Sequence, residues 1–176
     1  TPDLPSPEEI GDISGDFNIL VSGNFARNDF QSDGEGGTAV ETAIYRRNMY
    51  IKDKYNIDIL NEDIIRFNSS NGSGDGYSRI YRDYMAGETN YDAAMIGTYD
   101  VATLAYSGYI HDLNDIPHLD LSKDYWDQKA NADLAINGKM YYTTGDISIV
   151  DNVTTHAMIF NKDMLKAYEL DDPYQL

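Results

Sequence analysis

Cysteine is missing from all 176 residues. Its absence removes disulfides, thiol nucleophiles and thiolate metal sites, although it does not identify a compartment. Basic residues are few: 13 Lys and Arg stand against 30 Asp and Glu, a formal net charge of −17. A nucleic-acid binder needs a basic footprint to neutralise phosphates, and Arg46-Arg47 is the extent of any cluster here. The same acidity is repelled by anionic lipid headgroups and keeps a protein soluble. The three histidines, His111, His118 and His156, form neither an HExxH motif nor an i,i+4 pair, so no imidazole metal centre is expected. No apolar run approaches the roughly 20 residues that span a bilayer. The opening Thr1-Pro2-Asp3-Leu4-Pro5 lacks the apolar stretch of a signal peptide, so the signal of an exported form would have been removed or would lie outside this sequence.

What is present is a chain of 41% hydrophobic content, enough for one domain, or one domain and part of another. Residues 1–16 mix prolines and glycines with acids and read as a flexible leader. Phe17-Asn18-Ile19-Leu20-Val21 reads as a buried strand. A loop rich in Gly, Asp and Asn follows. Thr38 and Glu41 then form a capping box that opens a helix running to about Tyr55. Val40, Ile44 and Ile51 lie on one stripe of that helix, interrupted by Arg47 and Asn48. Asn56 to Leu60 reads as a second strand. A helix from about Tyr77 to Ala86 is stopped by Gly87. Tyr91 to Ile96 is a third strand, and a helix from about Asp100 ends near Gly108.

This alternation argues for an α/β domain, a mostly parallel sheet with helices on both faces. In such sheets ligands bind beyond the carboxyl ends of the strands. Asn24–Asn28 and Thr98–Asp100 gain interest from position alone. Further along, Asp112 to Pro117 is rich in turn residues, Tyr125 to about Ala132 reads as helix, and Asn137-Gly138 predicts a hairpin. Ala157 to Asn161 reads as a strand and Lys162 to about Tyr168 as a helix. These last two elements lack partners before Leu176, which predicts a larger protein cut short.

Motifs for chemistry are weak. Asp33-Gly34-Glu35-Gly36-Gly37-Thr38 is neither a Walker loop nor GxGxxG, and its acids would repel phosphate. Asn71 to Gly76 has the cadence of an EF-hand opening, but the twelfth position is Arg82 where calcium needs a bidentate Glu. The carboxylate pairs Asp112/Asp115 and Asp171/Asp172 sit in turns or terminal segments, without a nucleophile. No GxSxG elbow occurs. The chain is therefore read as a non-enzyme with no catalytic residue, metal or cofactor. Its 15 tyrosines and single Trp126 suit sugars, whose C–H faces stack on aromatic rings. At helical spacing, Tyr77, Tyr81 and Tyr84 read as packing.

Six segments in order carry a resemblance. Ile44-Tyr45-Arg46-Arg47-Asn48 followed by Asp53-Lys54-Tyr55-Asn56-Ile57-Asp58-Ile59 resembles the first helix and second strand of family 1 extracellular solute-binding proteins. Tyr91-Asp92-Ala93-Ala94-Met95 resembles their third strand, and Gly108 to Asn114 the return that follows it. Tyr125-Trp126-Asp127, then Ile136-Asn137-Gly138-Lys139-Met140-Tyr141-Tyr142, is similar to their "Trp-Asp … Gly-Lys-aromatic" stretch. Met158-Ile159-Phe160-Asn161-Lys162-Asp163-Met164-Leu165 is similar to the signature that opens the second lobe. The resemblance covers about residues 17–170 and is nearest the carbohydrate-binding type.

The resemblance implies a periplasmic-binding-protein-like type II fold: two α/β lobes joined by crossing strands, with ligand between them. A first lobe would occupy 17–145, and residues 146–176 would hold the hinge crossing and the start of a second lobe that is largely absent. The family's site carries over to Asn24, Phe25, Arg27 and Asn28 after the first strand, to Thr98, Tyr99 and Asp100 after the third, and to Trp126 and Asp146. Arg46 and Asn48 match the motif but, on a helix, are expected to fix the lobe. The implied partners are a small ligand, most of all a carbohydrate, and the membrane permease of an ABC importer. The protein is expected to be monomeric, extracellular and tethered as a lipoprotein in its full-length form. An α/β enzyme lobe binding a nucleotide or other small ligand, and a ligand-sensing receptor module, are the rival readings.

Overall fold

The computed structural model describes residues 4–11, 13–22, 29–64, 75–149, 159–171 and 173. Its elements in chain order are α1 (Pro7–Ile10), β1 (Gly15–Ser22), α2 (Ala39–Tyr55), β2 (Ile57–Ile64), α3 (Asp75–Ala86), β3 (Ala93–Met95), α4 (Thr98–Tyr106), a 3-10 turn (Leu113–Asp115), α5 (Gln128–Leu134) and α6 (Lys162–Ala167). The protein is α/β, built on a small open sheet of three parallel strands in the order β2-β1-β3.

β1 is central, which is why its apolar run does not alternate: Ile19, Leu20 and Val21 are all buried, as a strand covered on both faces requires. β2 runs four residues beyond the expected Leu60, through Asn61-Glu62-Asp63-Ile64, because it pairs with β1 from Gly15↔Ile57 to Ser22↔Ile64. Main-chain pairing with a central strand overrides the low strand propensity of those polar residues. β3 is shorter than its apolar run, pairing only Ile19↔Ala93 to Val21↔Met95. Asp92 lengthens the junction: its carboxylate accepts from the Asn18 N–H at 2.8 Å, and its own N–H donates to the Asn18 carbonyl at 2.8 Å.

α2 begins where the capping box places it. The Thr38 hydroxyl accepts from the Glu41 N–H at 3.2 Å, and the Glu41 carboxylate accepts from the Thr38 N–H at 2.6 Å. The helix ends at Asn56 in the left-handed conformation (φ 55°), a common helix stop. Its polar interruption has a structural cause. Arg47 Nη2 donates to the Asp29 carbonyl at 3.0 Å, and Asn48 Nδ2 donates to the Phe30 carbonyl at 2.6 Å. These bonds seat Phe30 against Ile19 and Val21, with Ile59 and Met95 packed alongside. Arg46, expected to help fix the lobe, instead lies on the exposed side and pairs with Glu35 at 2.8 Å.

α3 covers the opposite face. Gly76 in its first turn sits so close to the sheet that a Cβ there would lie 2.7 Å from Ile96 Cγ2 and 3.1 Å from Ser22 Cβ. The tyrosines of α3 pack on one another and on Tyr109: Tyr77 stacks on Tyr81 at 6.0 Å between ring centroids, and Tyr84 meets Tyr109 at 4.4 Å. Within the segment expected to be a leader, α1 is a capped helical turn. Just before it, the carbonyls of Leu4 and Pro5 accept from Lys54 Nζ and the Tyr55 hydroxyl.

Asn137 and Gly138 have φ of 52° and 78°, the paired positive values of a type I′ turn, and Ile136 and Lys139 exchange both main-chain hydrogen bonds across it. The strand expected at 157–161 is not found in its described part. Ile159 is 94% exposed, and Asn161 caps α6, its side-chain oxygen accepting from the N–H groups of Asp163 and Met164. Among the described residues no helix is long and apolar enough to cross a membrane.

Candidate functional site

Because β1 and β3 are parallel neighbours in register at Val21↔Met95, the segments leaving them start side by side, about 4.8 Å apart. Of the expected ligand residues, Thr98, Tyr99 and Asp100 follow this end directly. Asn24, Phe25, Arg27 and Asn28 lie outside the described residues. The structure resumes at Asp29, which is 2% exposed.

After β3, Gly97 is the N-cap of α4, and Thr98, Tyr99 and Asp100 make its first turn. Thr98 is exposed, and Tyr99 is 73% exposed with a ring open to solvent. Asp100 turns inward and is 3% exposed. An acid in the first turn is favoured by the positive end of the helix dipole. Behind this turn, Val101, Leu104 and Ala105 anchor α4 in the core.

Trp126 is 9% exposed, and its indole N–H donates to the Asp120 carbonyl at 3.1 Å. Its ring packs at 5.4 Å, tilted, on Tyr125. The ring expected to stack on a ligand is thus enclosed by its own chain. Asp146 is exposed, with its main-chain N–H bonded to the Tyr125 carbonyl at 2.9 Å.

Residues 144–148 form a strap between two segments of the fold. At one end, Gly145 pairs antiparallel with Trp126, and the Asp127 N–H donates to the Thr144 carbonyl at 2.9 Å. The approach is so close that a Cβ on Gly145 would overlap the Tyr125 carbonyl oxygen. At the other end, the Ser148 hydroxyl donates to the Asp29 carboxylate at 2.9 Å, and both residues are buried. A turn joins the two ends, the Ser148 N–H donating to the Gly145 carbonyl at 3.1 Å. Sequence reasoning singled out neither Asp29 nor Ser148, whose partners stand 119 positions apart.

Some charged groups elsewhere are tied into the structure. Burial alone would raise the Asp112 carboxyl, but donors from the Met140 and Asn114 main chain and the Asn114 side chain outweigh it and hold Asp112 below the ordinary carboxylate value. Asp112 thereby ties the hairpin to the 3-10 turn. Glu35 is held low by the Arg46 guanidinium. Arg47 is held below the usual arginine value by desolvation of its head group, opposed by the charge of Asp29.

A polar cleft of about 680 Å³ flanks the sheet on the α3 side, away from its carboxyl end, lined in part by Asn18, Glu62, Arg79, Asp83 and Tyr91. One wall is a closed triad. Arg79 Nε donates to the Tyr91 hydroxyl at 2.8 Å, that hydroxyl donates to Glu62 at 2.5 Å, and Arg79 also pairs with Glu62. The triad fastens α3 and the approach to β3 onto β2. Among the described residues no group of His, Cys, Asp or Glu is arranged to hold a metal ion.

Comparison of the chain with protein-family models, with curated proteins and with solved structures gave no match.

Proposed function

We propose that this chain is the ligand-capturing first lobe of an extracytoplasmic solute-binding protein serving an ABC importer, and that its ligand is a sugar or oligosaccharide. The observation that carries the reading is the ordered set of sequence segments, several of which have structural work in this fold. Asn48 seats the loop after β1, Tyr91 and Asp92 fasten β3 to its neighbours, and Asn161 caps the helix that would open a second lobe. An exposed tyrosine ring and an exposed threonine just beyond the carboxyl end of β3 support the same reading: a hydroxyl exchanges hydrogen bonds with sugar hydroxyls, and an aromatic face stacks on sugar C–H groups.

In this reading no bond is made or broken. Open and closed states exchange, ligand favours the closed state by touching both lobes, and the closed form docks on a membrane permease. One lobe supplies half a site, short of the opposing wall that buries most of a small ligand. The protein would act outside the cytoplasm as a monomer, held to the cell membrane by a lipid anchor on its full-length form.

A thermal-shift screen of mono- and oligosaccharides, run on the two-lobed protein and on the 176-residue chain side by side, tests the proposal. Ligand at a hundredfold excess over Kd stabilises the native state by about 2.7 kcal/mol, a shift of several degrees. A shift in the two-lobed protein alone is the expected result. Absence of any shift across the sugars removes the carbohydrate assignment.

A further inference from the structure

The strap at 144–148 is held at both ends by contacts of different kinds, and the two ends touch segments far apart in the sequence. The Gly145 end is main chain against main chain, beside Trp126. At the Ser148 end the hydroxyl donates to the buried carboxylate of Asp29. Asp29 belongs to the segment that leaves β1, and its own carbonyl is held from the other side by Arg47 of α2. A buried carboxylate is costly unless its lone pairs are satisfied, so the Ser148 hydroxyl has a fixed place. The turn between Gly145 and Ser148 is closed by a 3.1 Å main-chain bond and leaves little slack between the two ends.

We infer that Ser148 is a positioning residue, which couples the segment after β1 to the Trp126 region through the strap, so that a movement at either is felt at the other. The inference rests on reading residues 144–148 as the exit from the first lobe. On that reading the strap is the element through which ligand contact near β1 reaches the chain that crosses to a second lobe. The structural requirement is specific: a donor at position 148, on a side chain short enough to leave the 145–148 turn closed. Threonine meets it and alanine does not.

The test needs no ligand, so its outcome is separate from that of the sugar screen. Trp126 is the single tryptophan, and its fluorescence reports on one end of the strap, while amide hydrogen exchange at residues 29–31 reports on the other. In the 176-residue chain, Ser148→Ala is expected to speed exchange at 29–31 by about tenfold, the scale of one lost buried hydrogen bond. It is also expected to raise acrylamide quenching of Trp126, with far-UV circular dichroism unchanged. Ser148→Thr is expected to restore both readouts, which a mere change of packing would not do. A change confined to 29–31, with Trp126 as in the parent, overturns the coupling, and so does a Ser148→Ala protein that matches the parent at both ends. Should Ser148→Ala not fold, Ser148→Cys, which keeps the size and a weak donor, is read in the same two ways. A two-ended intermediate change supports the role, and a one-ended or absent change overturns it.

Discussion

Gly145 is the position where a single methyl group is expected to do most harm. Its φ is +147°, a conformation that other residues adopt at a cost of about 1–3 kcal/mol. Space is short as well: a Cβ would overlap the Tyr125 carbonyl oxygen and come within 2.9 Å of Trp126 Cα and 3.1 Å of Asp127 N. All three are backbone atoms and cannot swing aside as a side chain would. Relief requires the strap to lift, which breaks the bonds from the Asp127 N–H to the Thr144 carbonyl and from the Asp146 N–H to the Tyr125 carbonyl, both 2.9 Å. Each is worth about 1 kcal/mol net. Together these give about 3–5 kcal/mol, against a total stability of about 5–15 kcal/mol for a typical domain.

For a chain of this size Tm falls by roughly 2–4 °C per kcal/mol, so Gly145→Ala is expected to lower Tm by about 6–20 °C in a calorimetric or circular-dichroism melt. Gly108→Ala is the control. Gly108 also has positive φ (+71°), but a Cβ there meets nothing within 4 Å, leaving only the left-handed penalty of about 1–2 kcal/mol. Equal losses for the two variants would refute the steric argument, because they would reduce the effect at Gly145 to backbone conformation alone.

Three other outcomes follow from contacts in α2. Thr38→Ala removes the side-chain half of the cap and is expected to cost about 1 kcal/mol, measured by urea unfolding. Arg47→Met is expected to cost about 1–2 kcal/mol through the lost bonds to the Asp29 and Phe30 carbonyls, whereas Arg46→Met, which breaks only an exposed pair with Glu35, should stay within about 0.5 kcal/mol; equal effects would mean the inward turn of Arg47 carries no weight. The carboxyl of Glu41 is held below its ordinary value of 4.5 by the Thr38 main-chain donor first and the Thr38 side chain second. A folded value below the unfolded one gives stability that is full above about pH 4.5 and is lost as pH falls through the folded value. Glu41→Gln should therefore flatten the acid limb of a Tm-against-pH profile, and a limb of unchanged steepness would count against the cap.

The elements legible in the sequence were those whose signals are local. Thr38 and Glu41 stand three apart and specify the start of α2; Asn137-Gly138 specifies its own turn; the run Ile19-Leu20-Val21 is buried because nothing in it tolerates water. What was hidden depends on partners far along the chain. The polar residues of β2 read as a break until their register with β1 is known. Arg47 and Asn48 read as a flaw in an apolar stripe until the carbonyls of Asp29 and Phe30 are placed beneath them. Ile159 and Phe160 have strand composition but do not form a strand, and composition alone does not make one. In the candidate site, the placement of Thr98 and Tyr99 just beyond the third strand was legible, because the end of that strand and the helix after it are local signals. The burial of Trp126 was not, because it depends on the fold of the Tyr125 and Gly145 segments against each other.

The register of β2 has a consequence for how copies of this protein meet. Its outer margin has no strand beside it among the described residues, and an open margin is an invitation for a second molecule to add its own strand. Asp58, Glu62 and Asp63 stand along that margin. Two molecules approaching margin to margin would align like charges at strand spacing, tempered at Asp58 by Lys52 at 2.6 Å and at Glu62 by Arg79. The polar residues that blur the strand in the sequence thus act as a colloidal barrier, strongest at neutral pH and low ionic strength and weakened by acid or concentrated salt.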